Sequence, residues 1–298
     1  MKILVLGSNG QLGSCLQDQF AYTKYDVIYA SRNELDLSKL HDIKKYISKI
    51  NPDIIINASA YSDVDSAEKN TEEAYLINDI AVKNIANICS EKDIWMIHVS
   101  TDYVFDGISN RPYKVNDKTS PRSVYGQSKL NGEISIANSS CKFLIIRTAW
   151  LFSEYGKNFV KTMLRLSSTH REISVVGDQI GSPTYTQDFA RAIIATLKYL
   201  SEETKSGIYH YTGNPECTWA EFAQHIFNEA KQQNKIIKSP KIKIIDSSEY
   251  PTPVKRPLYS VLDTSLFESS FNYKGHNWSD GIKEVINLWN GKDFDSFS

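Results

Sequence analysis

Tyr125 and Lys129 stand four residues apart in the run Tyr125-Gly126-Gln127-Ser128-Lys129, inside a segment from Ser123 to Ala137 that reads as a helix. Four residues is about one helical turn, so the two side chains share a face. A free phenol ionises at about pH 10, too high for ready proton exchange around neutrality. An ammonium group beside it favours the phenolate and lowers that value. A tyrosine so supported suits the proton that passes between a carbonyl and an alcohol. Tyrosine and lysine are also common on exposed helix faces, so the pair needs a companion. Ser100-Thr101-Asp102-Tyr103 supplies one, directly after Asp93 to Val99, which reads as a buried strand. Its hydroxyls emerge at the C-terminal edge of the expected sheet, where one can hydrogen-bond an oxygen that becomes an alkoxide. His98 lies within that strand and reads as a packed core residue rather than a ligand.

These residues need a frame, and the first thirteen positions set it. Ile3 to Leu6, with Lys2 leading in, reads as a short buried strand; Gly7, Gly10 and Gly13 follow at three-residue spacing, and a helix opens at Gln11. Strand, glycine turn and helix bring a backbone close to a pyrophosphate and present helix N–H groups and the positive dipole end to it. A second strand, Asp26 to Ala30, ends in Ser31-Arg32. An acid at such a tip binds a ribose 2′-hydroxyl, and an arginine accommodates a 2′-phosphate. Arg32 therefore leans the cofactor toward NADPH, or is a solvated surface charge; Asp36 and Leu37 come next and line the adenine side.

Leu40 to Ile50 reads as an amphipathic helix and Asp53 to Asn57 as a third strand, apolar throughout as buried parallel strands are. Ala58 to Tyr61 leave its C-terminal end, where open parallel sheets bind ligands. Ser66 to Glu91 reads as a long helix, whole or broken, Arg111 to Arg122 as a proline-bearing loop, and Lys142 to Arg147 as a fifth strand. The β-α alternation predicts an α/β fold with a doubly wound, Rossmann-type parallel sheet over residues 1–150, with about 187–211 returning to it. Residues 151–186 and 212–298 are expected to form a smaller α+β substrate-binding domain. It is expected to hold helices at Lys157 to Ser167, Thr218 to Gln233 and Ser279 to Trp289, strands at Glu172 to Val176 and Lys241 to Ile245, a turn at Gly181 to Thr184, and a proline-rich loop from Tyr250. The returning stretch reads as a helix at Gln187 to Leu200 and a strand at Gly207 to Tyr211.

Composition bounds the function. The 298 residues are 41% hydrophobic and 23% charged, with a net charge of −1. That gives no reason to expect nucleic acid or a membrane surface as partner. No apolar run approaches the roughly 20 residues of a membrane span, and the N-terminus lacks a signal-peptide layout, so the cytoplasm is expected. Cys15, Cys89, Cys141 and Cys217 are widely spaced, which fits reduced thiols and neither a disulfide framework nor structural zinc.

The three elements together, GxxGxxG at the start, Ser/Thr after strand four and YxxxK on the following helix, resemble the extended short-chain dehydrogenase/reductases. More narrowly, the chain is similar to the dTDP-4-dehydrorhamnose reductases. This likeness runs through GSNGQLG (7–13), AYSDVDSAE (60–68), STDYVFDG (100–107), YGQSKLNGE (125–133), RTAWLF (147–152), GKNFVKTMLRL (156–166), VVGDQIGSPTYTQDFA (175–190), GIYHYTG (207–213) and PTPVKRPLYSVLDTS (251–265). STDYVFDG and PTPxxRP are specific to this branch.

The resemblance implies that NADPH or NADH passes a hydride to C4 of a 4-keto-6-deoxy-L-sugar on thymidine diphosphate, giving dTDP-L-rhamnose for cell-surface polysaccharide. Tyr125 would protonate the emerging oxygen, Lys129 would lower the tyrosine pKa and hold the nicotinamide ribose, and Thr101 would anchor the sugar oxygen. Cofactor contacts would come from Gly7, Asn9, Gly10, Gln11, Leu12, Gly13, Arg32, Asp36, Leu37, Ala58, Ser59, Ala60, Tyr61, Tyr125 and Lys129. Substrate contacts would come from Val64, Asp65, Thr101, Asp102, Tyr103, Trp150, Asn158 and Arg256. Val64 and Trp150 read equally as packing residues, and Asn78 as either a residue behind the site or a surface asparagine. Arg256 reads as a diphosphate clamp or as the partner of a carboxylate within the small domain. Where some relatives carry an acid for a metal-bridged dimer, this chain has Cys15, a poor magnesium ligand, which Asp188 alone would not replace. No metal and a monomer or weak homodimer are expected. Two other readings remain: a reductase of another nucleotide-linked 4-keto sugar (a talose epimer or a UDP-sugar), and a non-catalytic dinucleotide-binding regulatory subunit. The presence of Thr101, Tyr125 and Lys129 together favours an enzyme.

Overall fold

The computed structural model describes residues 1–289. Its first half alternates strand and helix: β1 (Lys2–Leu6), α1 (Gln11–Phe20), β2 (Asp26–Ala30), α2 (Leu40–Ile50), β3 (Ile54–Asn57), α3 (Val64–Ala67), α4 (Thr71–Tyr75), a π-helical turn at Leu76–Ile80, α5 (Ala81–Lys92), β4 (Trp95–Thr101), α6 (Val124–Ala137) and β5 (Phe143–Thr148). There follow β6 (Leu151–Phe152), α7 (Phe159–Ser167), β7 (Glu172–Val176), β8 (Ile180–Gly181), β9 (Thr184–Tyr185), α8 (Thr186–Thr196), β10 (Gly207–His210), β11 (Cys217–Thr218), α9 (Trp219–Gln232), β12 (Lys241–Ile245), α10 (Ser265–Phe271) and α11 (Trp278–Leu288). Residues 290–298, the end of the expected substrate-side unit, lie outside the described residues.

Six strands form one sheet in the order β10-β5-β4-β3-β1-β2, every neighbouring pair parallel. This is the doubly wound arrangement expected from the alternation. Strand residues point alternately to opposite faces, and both faces are covered. Ile3, Val5, Ile54, Ile56, Ile97 and Ile146 face a core built with Leu12, Leu16, Phe189 and Ile193 of α1 and α8. Leu4, Leu6, Ile55, Met96 and Ile145 face the opposite core with Ile43, Ile47, Val82 and Ile85 of α2 and α5. The strands therefore read as apolar runs, because neither side meets water. The order reverses between β1 and β3, so the crevice for ligands opens there, at the C-terminal strand ends.

The elements beyond residue 150 divide. α8 packs on α1, and β10 closes the far edge of the sheet against β5. α7, α9 and α11 pack around a separate apolar cluster that includes Val160, Phe222, Ile226 and Ile282. β7 and β12 form a parallel pair over this cluster, although about 70 residues separate them in the chain.

Several boundaries differ from the sequence reading for local reasons. β4 begins at Trp95 rather than Asp93, because Asp93 adopts a left-handed conformation that terminates α5. It runs on through Thr101, because Ser100 and Thr101 still pair with Arg147 and Thr148 of β5. α7 starts at Phe159 because the Asn158 side chain accepts from Lys161 N and caps it. The segment around residues 66–91 is broken into α3, α4, the π turn and α5. The capping box of α9, Thr218 with Glu221, is present. α10 has no counterpart in the sequence reading; its Phe267 and Phe271 pack on Tyr209 and Tyr211 near the sheet edge.

Candidate active site

The glycine turn is built for close approach. Gly7 has φ +78°, and a Cβ there would fall 2.7–2.9 Å from Ser59. A Cβ on Gly13 would fall 2.2 Å from the Gly7 carbonyl oxygen and 2.6 Å from Ser8 backbone atoms. The helix that follows begins at Gly10 with no side-chain cap and no acid in its first turn. An anion meets only backbone N–H groups and the dipole end at such a terminus.

A cleft of about 2140 Å³ runs from this turn over the ends of β1, β3 and β4 to α7 and β7. Single-ligand pockets usually occupy roughly 300–1,000 Å³, so the space suits two ligands. The cleft gathers Gly7, Asn9, Gly10, Gln11, Leu12, Arg32, Asp36, Leu37, Ala58, Ser59, Ala60, Tyr61, Val64, Asp65, Thr101, Asp102, Tyr103, Tyr125, Lys129, Trp150, Asn158 and Arg256. Of the residues expected in the site, Gly13 is the one not on its wall. It lies beneath the turn, where its missing side chain lets α1 pack on Gly7 and Ser8.

The polar groups at the end of β4 are buried and interlocked. The Thr101 hydroxyl donates to Asp102 Oδ1 (2.9 Å) and accepts from Tyr103 N (3.2 Å). Asp102 is buried, and its Oδ2 has no hydrogen-bond partner. Burial raises its carboxyl to about 6, only partly offset by the Thr101 hydroxyl. Tyr103 and Tyr125 meet edge to face at 5.6 Å. Burial pushes the Tyr125 phenol well up, with the Thr101 hydroxyl pulling against it. This corrects the expectation that Lys129 lowers the tyrosine. The Lys129 Nζ instead donates to the Val99 carbonyl (2.7 Å) and lies 3.1 Å from His98 Nε2. Burial of Lys129 lowers its own pKa to about 8, partly offset by Glu133. Glu133 in turn holds Arg147 in a buried two-point pair, Nε to Oε1 at 2.9 Å and Nη2 to Oε2 at 2.6 Å. No motif announced this pair.

Other expected residues resolve individually. Asn78 sits in the π turn, fully packed; its amide clamps both polar groups of the Tyr61 backbone (2.9 and 3.1 Å) and donates to Ser128 (3.0 Å). It stands behind the site rather than on the surface. Trp150 is both wall and packing: it has φ +47°, stacks on Trp219 at 3.5 Å and covers Gly181. Asn158 lines the cleft, but its amide is already engaged by Gln11 (2.9 Å), Ser153 O (2.7 Å) and the α7 cap. Arg256 donates to the Tyr103 hydroxyl (3.1 Å) and pairs with Asp65 of α3. Its carboxylate partner thus comes from the opposite wall rather than from its own region of the chain. Arg32 stands at the rim, its side chain 72% exposed, with Asp36 at 3.7 Å and Glu73 at 3.6 Å.

Comparisons with known proteins identify the family and the fold. A family model described as the RmlD substrate binding domain matches residues 1–290. A dTDP-4-dehydrorhamnose reductase of Aggregatibacter actinomycetemcomitans is 39% identical, the match covering 95% of this chain and 98% of that protein. The chain belongs to the dTDP-4-dehydrorhamnose reductase family. Among solved structures, a family member from Clostridium acetobutylicum superposes with TM-score 0.89 at 36% identity, covering 97% of this chain and 99% of that one. Another, from Bacillus anthracis and in complex with NADP, superposes with TM-score 0.89 at 33% identity over the same shares.

For a dTDP-4-dehydrorhamnose reductase, the wall missed by sequence reasoning is the one opposite the sheet. Asp178, Gln179 and Ser247 line it, linked by Ser247 N and Oγ donating to Asp178 (3.0 and 2.6 Å) and by Gln179 Nε2 donating to Ser247 (3.0 Å). Asp178 and Gln179 lie inside the family stretch VVGDQIGSPTYTQDFA, which was the available signal. Cys15 is buried, and burial, with the Glu154 carboxylate adding to it, pushes its thiol up. No helix among the described residues is long and apolar enough to cross a membrane.

Proposed function

We propose that this chain reduces the C4 ketone of dTDP-4-dehydro-L-rhamnose to dTDP-L-rhamnose at the expense of NADPH, with NADH as a weaker alternative. The carrying observation is that Thr101, Tyr125 and Lys129 line the same cleft as the glycine turn. The turn fits a dinucleotide on its own terms: Gly7 and Gly13 tolerate no side chain, and α1 offers an uncapped N-terminus. Backbone N–H groups from Gly10 to Leu12 would take the pyrophosphate, Asp36 and Leu37 the adenosine side, and Arg32 the 2′-phosphate. Ala58, Ser59, Ala60 and Tyr61, held by Asn78, would border the ribose.

The nicotinamide, when bound, supplies the hydride for C4. Burial keeps the Tyr125 phenol protonated, so it stands ready to give its proton to the sugar oxygen as charge develops there. Thr101 bonds the same oxygen and holds the phenol in line. Lys129, one turn along α6 from Tyr125, would bind the ribose. Val64, Asp102, Tyr103 and Trp150 frame the sugar, and Arg256 leaves Asp65 to meet the diphosphate, for which its planar fork is suited. The sheet with α8 and β10 forms the cofactor side, and the α7–α9–α11 assembly the substrate side. We place the enzyme in the cytoplasm, as a monomer or weak homodimer.

Incubating the protein with the dTDP-4-keto sugar and NADPH, and identifying the product by NMR, tests this reading. The rhamnose configuration is expected, with turnover falling at least about a thousandfold in Tyr125→Phe while NADPH binding is retained. Reduction at the parent rate by that variant would remove Tyr125 as the acid.

A further inference from the structure

His98 is fully buried in the middle of β4 and touches two side chains, one through each ring nitrogen. Asn57 Nδ2 lies 3.1 Å from His98 Nδ1, and Lys129 Nζ lies 3.1 Å from His98 Nε2. Which nitrogen carries the proton follows from the partners. Asn57 Oδ1 accepts from Ser59 N at 3.1 Å. That bond orients the amide, because turning it over would set its NH₂ against the Ser59 N–H. Asn57 therefore presents a donor to His98, and Nδ1 must accept.

A neutral imidazole has one acceptor and one donor nitrogen. With Nδ1 accepting, the proton sits on Nε2 and points at Lys129. An ammonium has three donors and no lone pair, so it would face Nε2–H with another N–H. An amine satisfies the whole set: its lone pair accepts from Nε2–H, one N–H serves the Val99 carbonyl at 2.7 Å, and one remains for a cofactor ribose. The ring itself stays neutral, since burial disfavours its charged form.

We propose that His98, its tautomer set by Asn57, is a positioning residue that holds the Lys129 amine in place and loosens its grip on a proton. The proposal rests on the reductase reading only for its bearing on turnover. Other ionisable groups around Lys129 do not produce this effect. Glu133, one turn along α6, favours the ammonium, and its carboxylate is already shared with Arg147 of β5. Tyr125, one turn earlier, is held protonated by burial. Burial lowers the proton affinity of Lys129 independently of this mismatch.

Nitrogen-15 NMR of the intact chain, labelled in histidine and lysine, tests this without any turnover. The resonance pair of His98, assigned through its contacts to Asn57 and Lys129, is expected to show Nε2 protonated and Nδ1 bare from pH 6 to 9. Asn57→Asp offers a carboxylate that accepts from Nδ1–H. The tautomer should reverse, Nε2 should accept from the ammonium, and the Lys129 midpoint should rise by at least one pH unit. His98→Gln, whose amide oxygen can turn to Lys129, should raise it likewise, and the matching limb of the kcat against pH profile should move with it. A protonated Nδ1 or an imidazolium in the parent chain at pH 7 overturns the proposal, with no variant needed. So does a Lys129 midpoint unmoved in both variants. Should tautomer and midpoint behave as stated while the parent chain leaves the keto sugar unreduced, the reductase reading fails and the role of His98 in holding Lys129 stands.

Discussion

The two ends of the cleft are built by opposite means. Beside the half-buried Tyr125, the side chains of Thr101, Asp102 and Lys129 are withdrawn from water and most of their polar atoms are engaged. Beneath them the Glu133–Arg147 pair is 2–3% exposed. At the adenosine end, Arg32 is 72% exposed and its ion pairs are long, 3.6 and 3.7 Å. The buried end moves pKa values: Asp102 rises to about 6 and Lys129 falls to about 8. At the rim, water screens the charges, and a pair there is worth about 0–1 kcal/mol. On the proposed reading, chemistry is thus placed where geometry is over-determined, and cofactor choice where a side chain can still adapt.

The sharpest way to break this contrast is to unpair its deepest charge. Glu133→Ala leaves the Arg147 guanidinium buried without its carboxylate, and a loss of about 3–5 kcal/mol is expected by urea unfolding. A loss below about 1 kcal/mol would mean that water reaches this pair and that the two ends are less different than described.

Asp102 gives a smaller effect of opposite sign. Its folded-state pKa lies above the ordinary carboxylate value, so the folded chain holds a proton that the unfolded chain has released between about pH 4 and 6. Stability from this group therefore rises as pH falls through 6 toward 4, and the burial penalty is fully present above 6. Asp102→Asn removes the penalty: the variant should be more stable than the parent at pH 7.5, by about 3 kcal/mol at most. Thermal melts should show the gap closing toward pH 4. A gap independent of pH would assign the effect to packing instead of charge.

The smallest change is expected at the rim. Arg32→Ala should alter folding stability by less than about 0.5 kcal/mol yet raise the KM for NADPH about tenfold, equivalent to roughly 1.4 kcal/mol. The KM for NADH should stay within about twofold, a difference of roughly 0.4 kcal/mol. Equal losses with both cofactors would show that Arg32 meets a group common to the two, not the 2′-phosphate.

What the chain disclosed by itself is local. The Tyr125–Lys129 spacing, the glycine turn ahead of Gln11, the apolar runs of β1 and β3 and the Thr218–Glu221 cap depend on residues close in sequence. Periodicity and capping operate over the same distance. α10 escaped because its few apolar residues in Ser265–Phe271 make no extended pattern. The π turn at Asn78 escaped because a single widened turn leaves no compositional mark.

Tertiary structure decided the electrostatics. Sequence placed Lys129 beside Tyr125, but the Val99 carbonyl and His98, arriving on β4, decide where its nitrogen sits. It marked Arg256 as a phosphate clamp or a carboxylate partner, and Asp65 from α3 answers across the cleft. It named Asn158 for the sugar, and Gln11 and Ser153 claim the amide first. Spacing along the chain determines which side chains can share a face. A proton's affinity depends on the dielectric and the donors around it, and those come from strands and loops that only the folded chain brings together.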